Sequence, residues 1–330
     1  MRMSLAMDET WHTTATADAL QQRAELYRNL REFFHARNVL EVETPILSEA
    51  GNTDPNIESF HVHFSGATQA GNAKRWLRTS PEFALKRLLA SGIGDCYELG
   101  RVFRNGEFGR KHNPEFSMLE WYRVGWNHLQ LIEECIELVQ QLFGLKNIYL
   151  DVHRLTYQNL FIRSIGIDPY TASDEQLCST LQTVTEINSQ GLSRDDLLDL
   201  LLTHCIEPTF LAKQLTVIYD FPASQCALAN IRLDDIPVAE RFELYLGSVE
   251  LANGYHELTD AAEQNRRFDN DIKLRQVRGL SLPAKDLRLI NALPSLPACA
   301  GVAMGIDRLI MQLLALDNIN EIIAFDFSRA

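Results

Sequence analysis

Basic residues are scarce in this chain relative to acidic ones. Lys plus Arg number 31 against 44 Asp plus Glu, a formal net charge of -13. That balance opposes broad contact with nucleic acid, where cationic side chains must displace counterions from phosphates. It leaves room only for a local basic patch and favours a cationic partner. Long apolar runs are also missing. No stretch approaches the ~18 residues that a membrane helix needs, so no membrane association is expected. The start holds Asp8, Glu9 and His12 without an apolar h-region, which argues against a secretory signal and leaves residues 1–16 as an expected flexible tail. Cysteine is limited to Cys96, Cys135, Cys178, Cys205, Cys226 and Cys299, with no C-x-x-C pair. A zinc site or dithiol redox motif therefore has little support, and scattered single cysteines point to a reducing, cytoplasmic location. Repeats, low-complexity segments and clear linkers are absent. What remains is 330 residues, 46% apolar and 23% charged, ordinary for a soluble protein with a sizeable core.

Apolar spacing predicts a helix from Asp18 to about Arg37, then a strand at Val39–Glu43 stopped by Thr44-Pro45. Residues 47–75 read as loop with a short alternating strand near Phe60–Phe64. A helix is expected over Pro81–Ala90, capped by Ser80 with Pro81 at its first position. Strands follow at Tyr97–Asn105 and Glu115–Val124, joined by a polar loop, and then a strongly periodic helix at Asn127–Phe143. Residues 150–212 carry helical patterns with polar breaks at Thr171–Asp174 and Ser189–Gly191, an expected helical subregion. Leu215–Phe221 reads as a strand. Val238–Leu246 and Val249–Leu258 form a hairpin across Gly247-Ser248, suited to a type II′ turn. Asp260–Gly279 is a charged helix, and Gly301–Leu316 begins glycine-rich and becomes an apolar helix. Successive strand pairs with tight turns argue for a mainly antiparallel sheet covered by helices, an α+β fold.

Four segments carry chemistry. In Glu115–Val124, alternation puts Phe116, Met118, Glu120 and Tyr122 on one strand face. A carboxylate amid apolar neighbours is costly unless a cation pairs it. Arg104 stands at the mouth of the preceding loop, with Arg110, Lys111 and His112 beyond, a cluster suited to a polyphosphate. A solvated basic turn with a surface Glu fits this segment equally well. In the hairpin, Glu243 and Glu250 share a face, which suits Mg²⁺ carried in with a nucleotide. As an isolated pair they read more simply as solvated acids. Glu257 falls on the opposite face of a regular strand, and a bulge at Asn253-Gly254 is expected to return it. The run Gly301–Arg308 offers close backbone approach and a guanidinium for a terminal phosphate, although on its own it reads more simply as a helix entry with a surface Arg. Thr79-Ser80-Pro81-Glu82 is complete as a helix cap. His61 and His63 have no third ligand in view.

In this order the segments resemble the three motifs of class II aminoacyl-tRNA synthetases in their lysyl form. Leu40–Pro45 is similar to motif 1, Phe103–Tyr122 to motif 2 and Gly301–Arg308 to motif 3. The resemblance spans roughly residues 20–330. It implies the class II catalytic core over 17–330, ATP and Mg²⁺ as cofactors, and a homodimer. Motif 1 lies near residue 40, behind one helix and a tail. That leaves no room for the anticodon-reading barrel of a lysyl-tRNA synthetase, so tRNA is not expected as a partner. Phe221–Gln225, Val238–Glu243 and Glu250–Gly254 resemble a stand-alone branch of the family. That branch implies activation of (R)-β-lysine as an adenylate and its transfer to a lysine of elongation factor P.

The resemblance further implies residue roles. Arg104 would hold the α-phosphate and Arg308 the γ-phosphate, with Phe116 stacked on adenine. His112 and Asn113 would complete nucleotide binding, with Asn105, Gly106, Glu107, Glu250 and Leu251 lining it and Gly305 allowing close approach. Glu243 and Glu250 would hold Mg²⁺. Glu120, Tyr122 and Glu257 would enclose the side-chain ammonium, and Ser80, Pro81 and Glu82 would meet the other amine. The family usually has an acidic residue directly after the pair matched by Arg104-Asn105, where this chain has Gly106 and then Glu107. Ala303 stands where lysyl-tRNA synthetases carry Gly, an added methyl that fits the shifted amine of β-lysine. The alternatives are a minimal enzyme charging tRNA-Lys, a non-catalytic synthetase-like regulator and an asparagine-synthetase-like adenylating enzyme. Against the last, the Glu120–Tyr122–Glu257 set suits a cationic substrate better than aspartate.

Overall fold

The computed structural model describes residues 11–67, 69, 71–187 and 191–330. Most of the expected tail, residues 1–10, and part of the Ser189–Gly191 break lie outside the described residues. Residues 11–16 are tied down: the Thr14 hydroxyl donates to the Asn320 carbonyl at 2.5 Å, and Ala15 is buried. Thr16 caps helix α1 (Ala17–His35), accepting from the Ala19 N–H. Leu26, Leu30, Phe33 and Phe34 bury one stripe of α1, and Asn38, at a φ of 56°, turns the chain out of it.

The strands in chain order are β1 (Leu40–Glu41), β2 (Leu47–Ser48), β3 (His61–His63), β4 (Lys74–Leu77), β5 (Cys96–Phe103) and β6 (Glu115–Val124). They continue as β7 (Asp151–Thr156), β8 (Gln214–Pro222), β9 (Ile231–Arg232), β10 (Val238–Leu246), β11 (Val249–His256) and β12 (Cys299–Gly305). The main sheet runs β1-β5-β6-β12-β11-β10-β8-β7, with β9 beside β10. Among the described residues only β1–β5 and β7–β8 pair in parallel, so the mainly antiparallel expectation holds. β2, β4 and β3 make a separate small sheet. The expected strand at Val39–Glu43 is shorter, two residues at the sheet edge. The short strands β2, β4 and β9 were not expected, and neither were two longer ones. β12 lies between β6 and β11 in a segment read as a glycine-rich helix entry, and β7 opens the segment read as helical.

Alternate residues of the central strands face opposite layers. Leu119, Trp121, Val302, Met304 and Phe242 pack under α1, α3 (His128–Gly144) and α9 (Ile306–Leu314) in the principal core. Asn127 caps α3 through a reciprocal capping box with Gln130, which satisfies two end donors. Helices α4 (Tyr157–Ile165), α5 (Asp174–Gln182) and α6 (Arg194–Leu201) build the helical subregion around Phe161, Leu177, Leu181 and Leu201, packed onto Ile218 and Phe221 of β8. Helices α2 (Glu82–Ala90), α7 (Ala261–Val277) and α8 (Leu287–Ala292) flank the face of the sheet opposite the principal core. The buried Arg23 of α1 meets Asp307 of α9 at 2.6 Å, and Asp307 also accepts from the Ser117 N–H at 2.7 Å. This contact ties helix to strand at the end of β6. No helix of the described residues is long and apolar enough to cross a membrane.

Candidate active site

An open cleft of about 700 Å³ lies on the sheet face away from the principal core. Its floor comes from period-two alternation on three neighbouring strands. Met118, Glu120 and Tyr122 of β6, Gly301 and Ala303 of β12, and Asn253 and Tyr255 of β11 all line it. Register sets the rows: Ala303 sits between Glu120 and Asn253, and Gly301 between Tyr122 and Tyr255. Gly301 is required there, because a Cβ would lie 2.2 Å from the Tyr122 ring and 2.5 Å from Glu257 Oε1.

The recess at the α2 side is acidic. Glu120, 2% exposed, accepts from Ser80 Oγ at 2.6 Å and from Tyr122 Oη at 2.9 Å. Burial, with Glu82 and Glu257 nearby, pushes its carboxyl up to about 8. Ser80 also accepts from the Glu82 N–H at 3.0 Å, so it serves both helix start and recess. By backbone hydrogen bonding α2 starts at Glu82, with Pro81 in the cap position rather than Ser80. Lys86, absent from the sequence reading, is the fourth member. Its ammonium lies 2.6 Å from Glu82 and 2.5 Å from Glu257 Oε2, with 1% of its side chain exposed. Glu257 Oε1 has no hydrogen-bond partner among the described residues. Burial pushes the Glu257 carboxyl up to about 7 against the pull of Lys86.

Glu257 reaches this face by a different route from the one expected. The ladder is straight through Asn253 and Gly254, where Phe242 pairs with Gly254 and Glu243 with Asn253. The register slips earlier, so that Leu244 pairs with Ala252 and Tyr245 with Glu250, leaving Leu251 as the extra residue. One extra residue inverts the parity of everything after it. Asn253, Tyr255 and Glu257 therefore join the Glu120 face. Gly254 serves close packing: a Cβ there would lie 2.5 Å from the Phe242 ring and 2.9 Å from the Gly301 carbonyl.

The cationic side is built around His112. Arg308 Nη2 donates to His112 Nε2 at 2.7 Å, so that nitrogen is an acceptor and the imidazole is neutral. Burial and the Arg308 charge lower the His112 pKa, and Arg104, Glu107 and Glu250 act on the same ring. Five charged or polar groups thus share one neighbourhood. Arg104 lies 3.5 Å from Glu107, stands 5.2 Å from the Phe116 ring centre, and keeps a buried Nε without a partner among the described residues. Arg308 also meets the Glu250 carbonyl at 3.0 Å. Gly106 sits at a φ of 85°, a backbone conformation that favours glycine over an acidic residue. At Gly305 an added Cβ would find nothing nearer than 3.8 Å.

Two expected positions are already engaged. Asn113 spends both ends of its amide on backbone, donating to the Glu115 carbonyl at 2.6 Å and accepting from the Phe327 N–H at 2.9 Å. It holds the loop in shape. Glu243 is held by Arg241 and by Tyr245 Oη, the latter at 2.7 Å. Burial pushes its carboxyl up to about 7, with Arg241 opposing and Glu250 adding to the rise. Glu243 and Glu250 therefore form an electrostatically coupled pair. No cluster of three or more His, Cys, Asp or Glu among the described residues is arranged to hold a metal unaided. Arg241, Asn253 and Tyr255 line the cleft and Lys86 lies sealed beside it, and none of the four was expected as a site residue.

A family model described as tRNA synthetases class II (D, K and N) matches residues 7–329. The chain is 48% identical over 326 residues to the elongation factor P–(R)-beta-lysine ligase of Pseudoalteromonas translucida (strain TAC 125), covering 97% of this chain and 98% of that one. It is 46% identical over 323 residues to the protein of the same name from Vibrio cholerae serotype O1, again 97% and 98% covered. The corresponding Salmonella typhi protein is 44% identical over 324 residues, with the same coverage.

Proposed function

The chain belongs to the class II tRNA synthetase family of the D, K and N type, and from that premise we propose that it activates (R)-β-lysine with ATP and transfers it to a lysine of elongation factor P. The observation that carries this reading is the pairing of an anionic recess with a cationic rim in one region of the sheet face. Glu82, Glu120 and Glu257 with Lys86 make the recess, and Arg104, His112 and Arg308 make the rim. The names of the relatives specify the donor and acceptor.

In the first step a carboxylate oxygen of the amino acid bonds to the α-phosphorus of ATP, and the bond to the leaving pyrophosphate breaks. Arg104 neutralises charge building on the α-phosphate, and Arg308 holds the far phosphate. The unpartnered Arg104 Nε and the ring of Phe116 beneath the guanidinium support a nucleotide seat there. Neutral His112 accepts from Arg308 and so fixes its orientation without adding positive charge. Glu120, Tyr122 and Glu257 receive the distal ammonium, and Ser80 and Glu82 the other amine. Holding both amines leaves the carboxylate to face the phosphate. Ala303, in the row between Glu120 and Asn253, narrows the floor by one methyl.

Mg²⁺ that arrives with phosphate oxygens completing its shell would find a hard carboxylate in Glu250, and Glu243 would join it by giving up its contact with Arg241 or Tyr245. Bound there, Mg²⁺ supplies charge neutralisation for the phosphates. In the second step a neutral lysine amine of the acceptor attacks the adenylate carbonyl, AMP leaves, and the amine gives up a proton. A homodimer is supported by the short edge strand β1, whose Leu40 is exposed.

ATP–pyrophosphate exchange with each lysine isomer tests the first step. Exchange that depends on lysine and is lost in Arg104→Ala is expected. Near-normal exchange in that variant removes Arg104 from its role, and no lysine-dependent exchange in the unmodified protein overturns the reading.

A further inference from the structure

Three carboxylates converge on the recess, and a substrate with two ammonium groups can neutralise only two of them. Lys86 accounts for the third. It rises from α2 one turn after Glu82 and is sealed by the fold, touching Glu82 at 2.6 Å and Glu257 at 2.5 Å. With Glu82, Glu120 and Glu257 ionised and Lys86 charged, the recess holds two net negative charges, matching a diammonium amino acid. The contact also orients Glu257: Lys86 takes Oε2, and the unpartnered Oε1 lies beside the Tyr122 ring, over Gly301.

We propose that Lys86 is a positioning and specificity residue: it sets the charge of the fully ionised recess at two and turns one Glu257 oxygen toward the substrate ammonium. The role rests on the ligase reading above. Lys86 is too well sealed and too fully paired to meet the substrate itself. Its effect passes through Glu82 and Glu257. Of the other titratable groups packed here, Cys299 on β12 faces Lys86 itself, while Glu120 and Tyr122 on β6 and Tyr255 on β11 face its partners Glu82 and Glu257. Apart from Lys86 these groups are neutral or anionic, so losing the ammonium leaves the carboxylates to compete for protons.

The test compares Lys86→Met, Glu257→Gln and the double variant in lysine-dependent ATP–pyrophosphate exchange from pH 6 to 9. Unmodified protein comes first, because a lack of exchange there defeats the ligase reading and not the role of Lys86. Its lysine KM is expected to fall as pH rises through about 7 to 8, as Glu257 and Glu120 ionise. In Lys86→Met that fall moves to higher pH. At pH 7 the lysine KM rises by about ten- to a hundredfold, as expected when carboxylate ionisation moves about one to two pH units higher on loss of a neighbouring cation, while kcat at saturating lysine changes little.

Lys86→Met leaves Glu257 without its cation and is open to misfolding, so the double variant carries the decisive comparison. Glu257→Gln alone leaves one net negative charge. Removing Lys86 as well restores two, and lysine KM is expected to improve severalfold over Glu257→Gln. A role confined to packing predicts no such reversal. The proposal is overturned if a folded Lys86→Met keeps the unmodified KM and pH profile, or if the double variant binds lysine no better than Glu257→Gln.

Discussion

Replacing Glu120 by Gln keeps its shape and removes its charge, and the consequences for stability and binding have opposite signs. The Glu120 carboxyl rises from 4.5 to about 8 in the fold, chiefly through burial. A group raised in this way leaves the fold unpenalised below pH 4.5, then weakens it progressively as pH climbs to about 8. At about 1.36 kcal/mol per pH unit, the penalty is about 3 kcal/mol at pH 7 and about 5 kcal/mol above pH 8. Gln relieves it. Against this, Glu120 offers two acceptor oxygens, used by Ser80 and Tyr122, and Gln offers one, so a hydroxyl must reorient at about 1–2 kcal/mol. Unliganded Glu120→Gln is therefore expected to be more stable than the unmodified protein at pH 8, by about 2–4 kcal/mol, and no more stable at pH 5. Binding moves the other way. Loss of a charge-assisted bond worth about 1.5–3 kcal/mol raises lysine KM by about 10- to 150-fold. Urea unfolding without ligand at both pH values and lysine-dependent exchange measure the two effects. A variant that is less stable by the same margin at pH 5 and pH 8, or that keeps its lysine KM, refutes the reasoning.

The two motif 3 glycines should separate cleanly. Gly305→Ala meets nothing within 3.8 Å, so it should fold normally yet raise ATP KM by about tenfold, since only a ligand needs that space; an unchanged ATP KM counts against a nucleotide at this site. Gly301→Ala drives a methyl into Tyr122 and Glu257 and should abolish lysine-dependent exchange, with thermal unfolding checking that the fold survives. Arg23→Met strands the buried Asp307 carboxylate and should destabilise the protein by about 3–5 kcal/mol, measured by urea unfolding; a loss under 1 kcal/mol contradicts a buried pair. Ala303→Gly should raise kcat/KM for α-lysine relative to β-lysine, and an unchanged ratio removes Ala303 from selection.

Periodic segments were the most legible. β6 was read at its observed bounds because apolar and polar side chains alternate along it, although both of its faces are buried, and α3 to within a residue because a cap and a long apolar stripe coincide. β12 was missed because Cys299–Gly305 is rich in residues without bulk, and its glycines read as the entry to the following helix. In the sheet that smallness is what lets Tyr122 and Glu257 pass over Gly301. β7 was missed because Asp151–Thr156 sits at a sheet edge, where only Leu155 needs burial. Within the site, Glu120 stood out as a charge amid apolar neighbours, while the roles of Glu82, Glu243, Glu250 and Arg308 became legible only through the family resemblance. Lys86 did not, since a lysine four residues after a glutamate is the ordinary pattern of a solvated helix face. Only the third dimension, which brings Glu257 over α2, reveals it as buried. The bulge was expected for the right reason, parity, and at the wrong residue, because a glycine was read as a kink when it serves close packing.

The central claim is that the recess and rim together make an aminoacyl-adenylate for a protein acceptor. Mass measurement of elongation factor P and of tRNA-Lys after incubation with the protein, ATP and (R)-β-lysine tests it most directly. Elongation factor P gaining one β-lysyl group, with tRNA-Lys unchanged, is the predicted result. Charged tRNA-Lys beside unmodified elongation factor P, or no change in either, contradicts it.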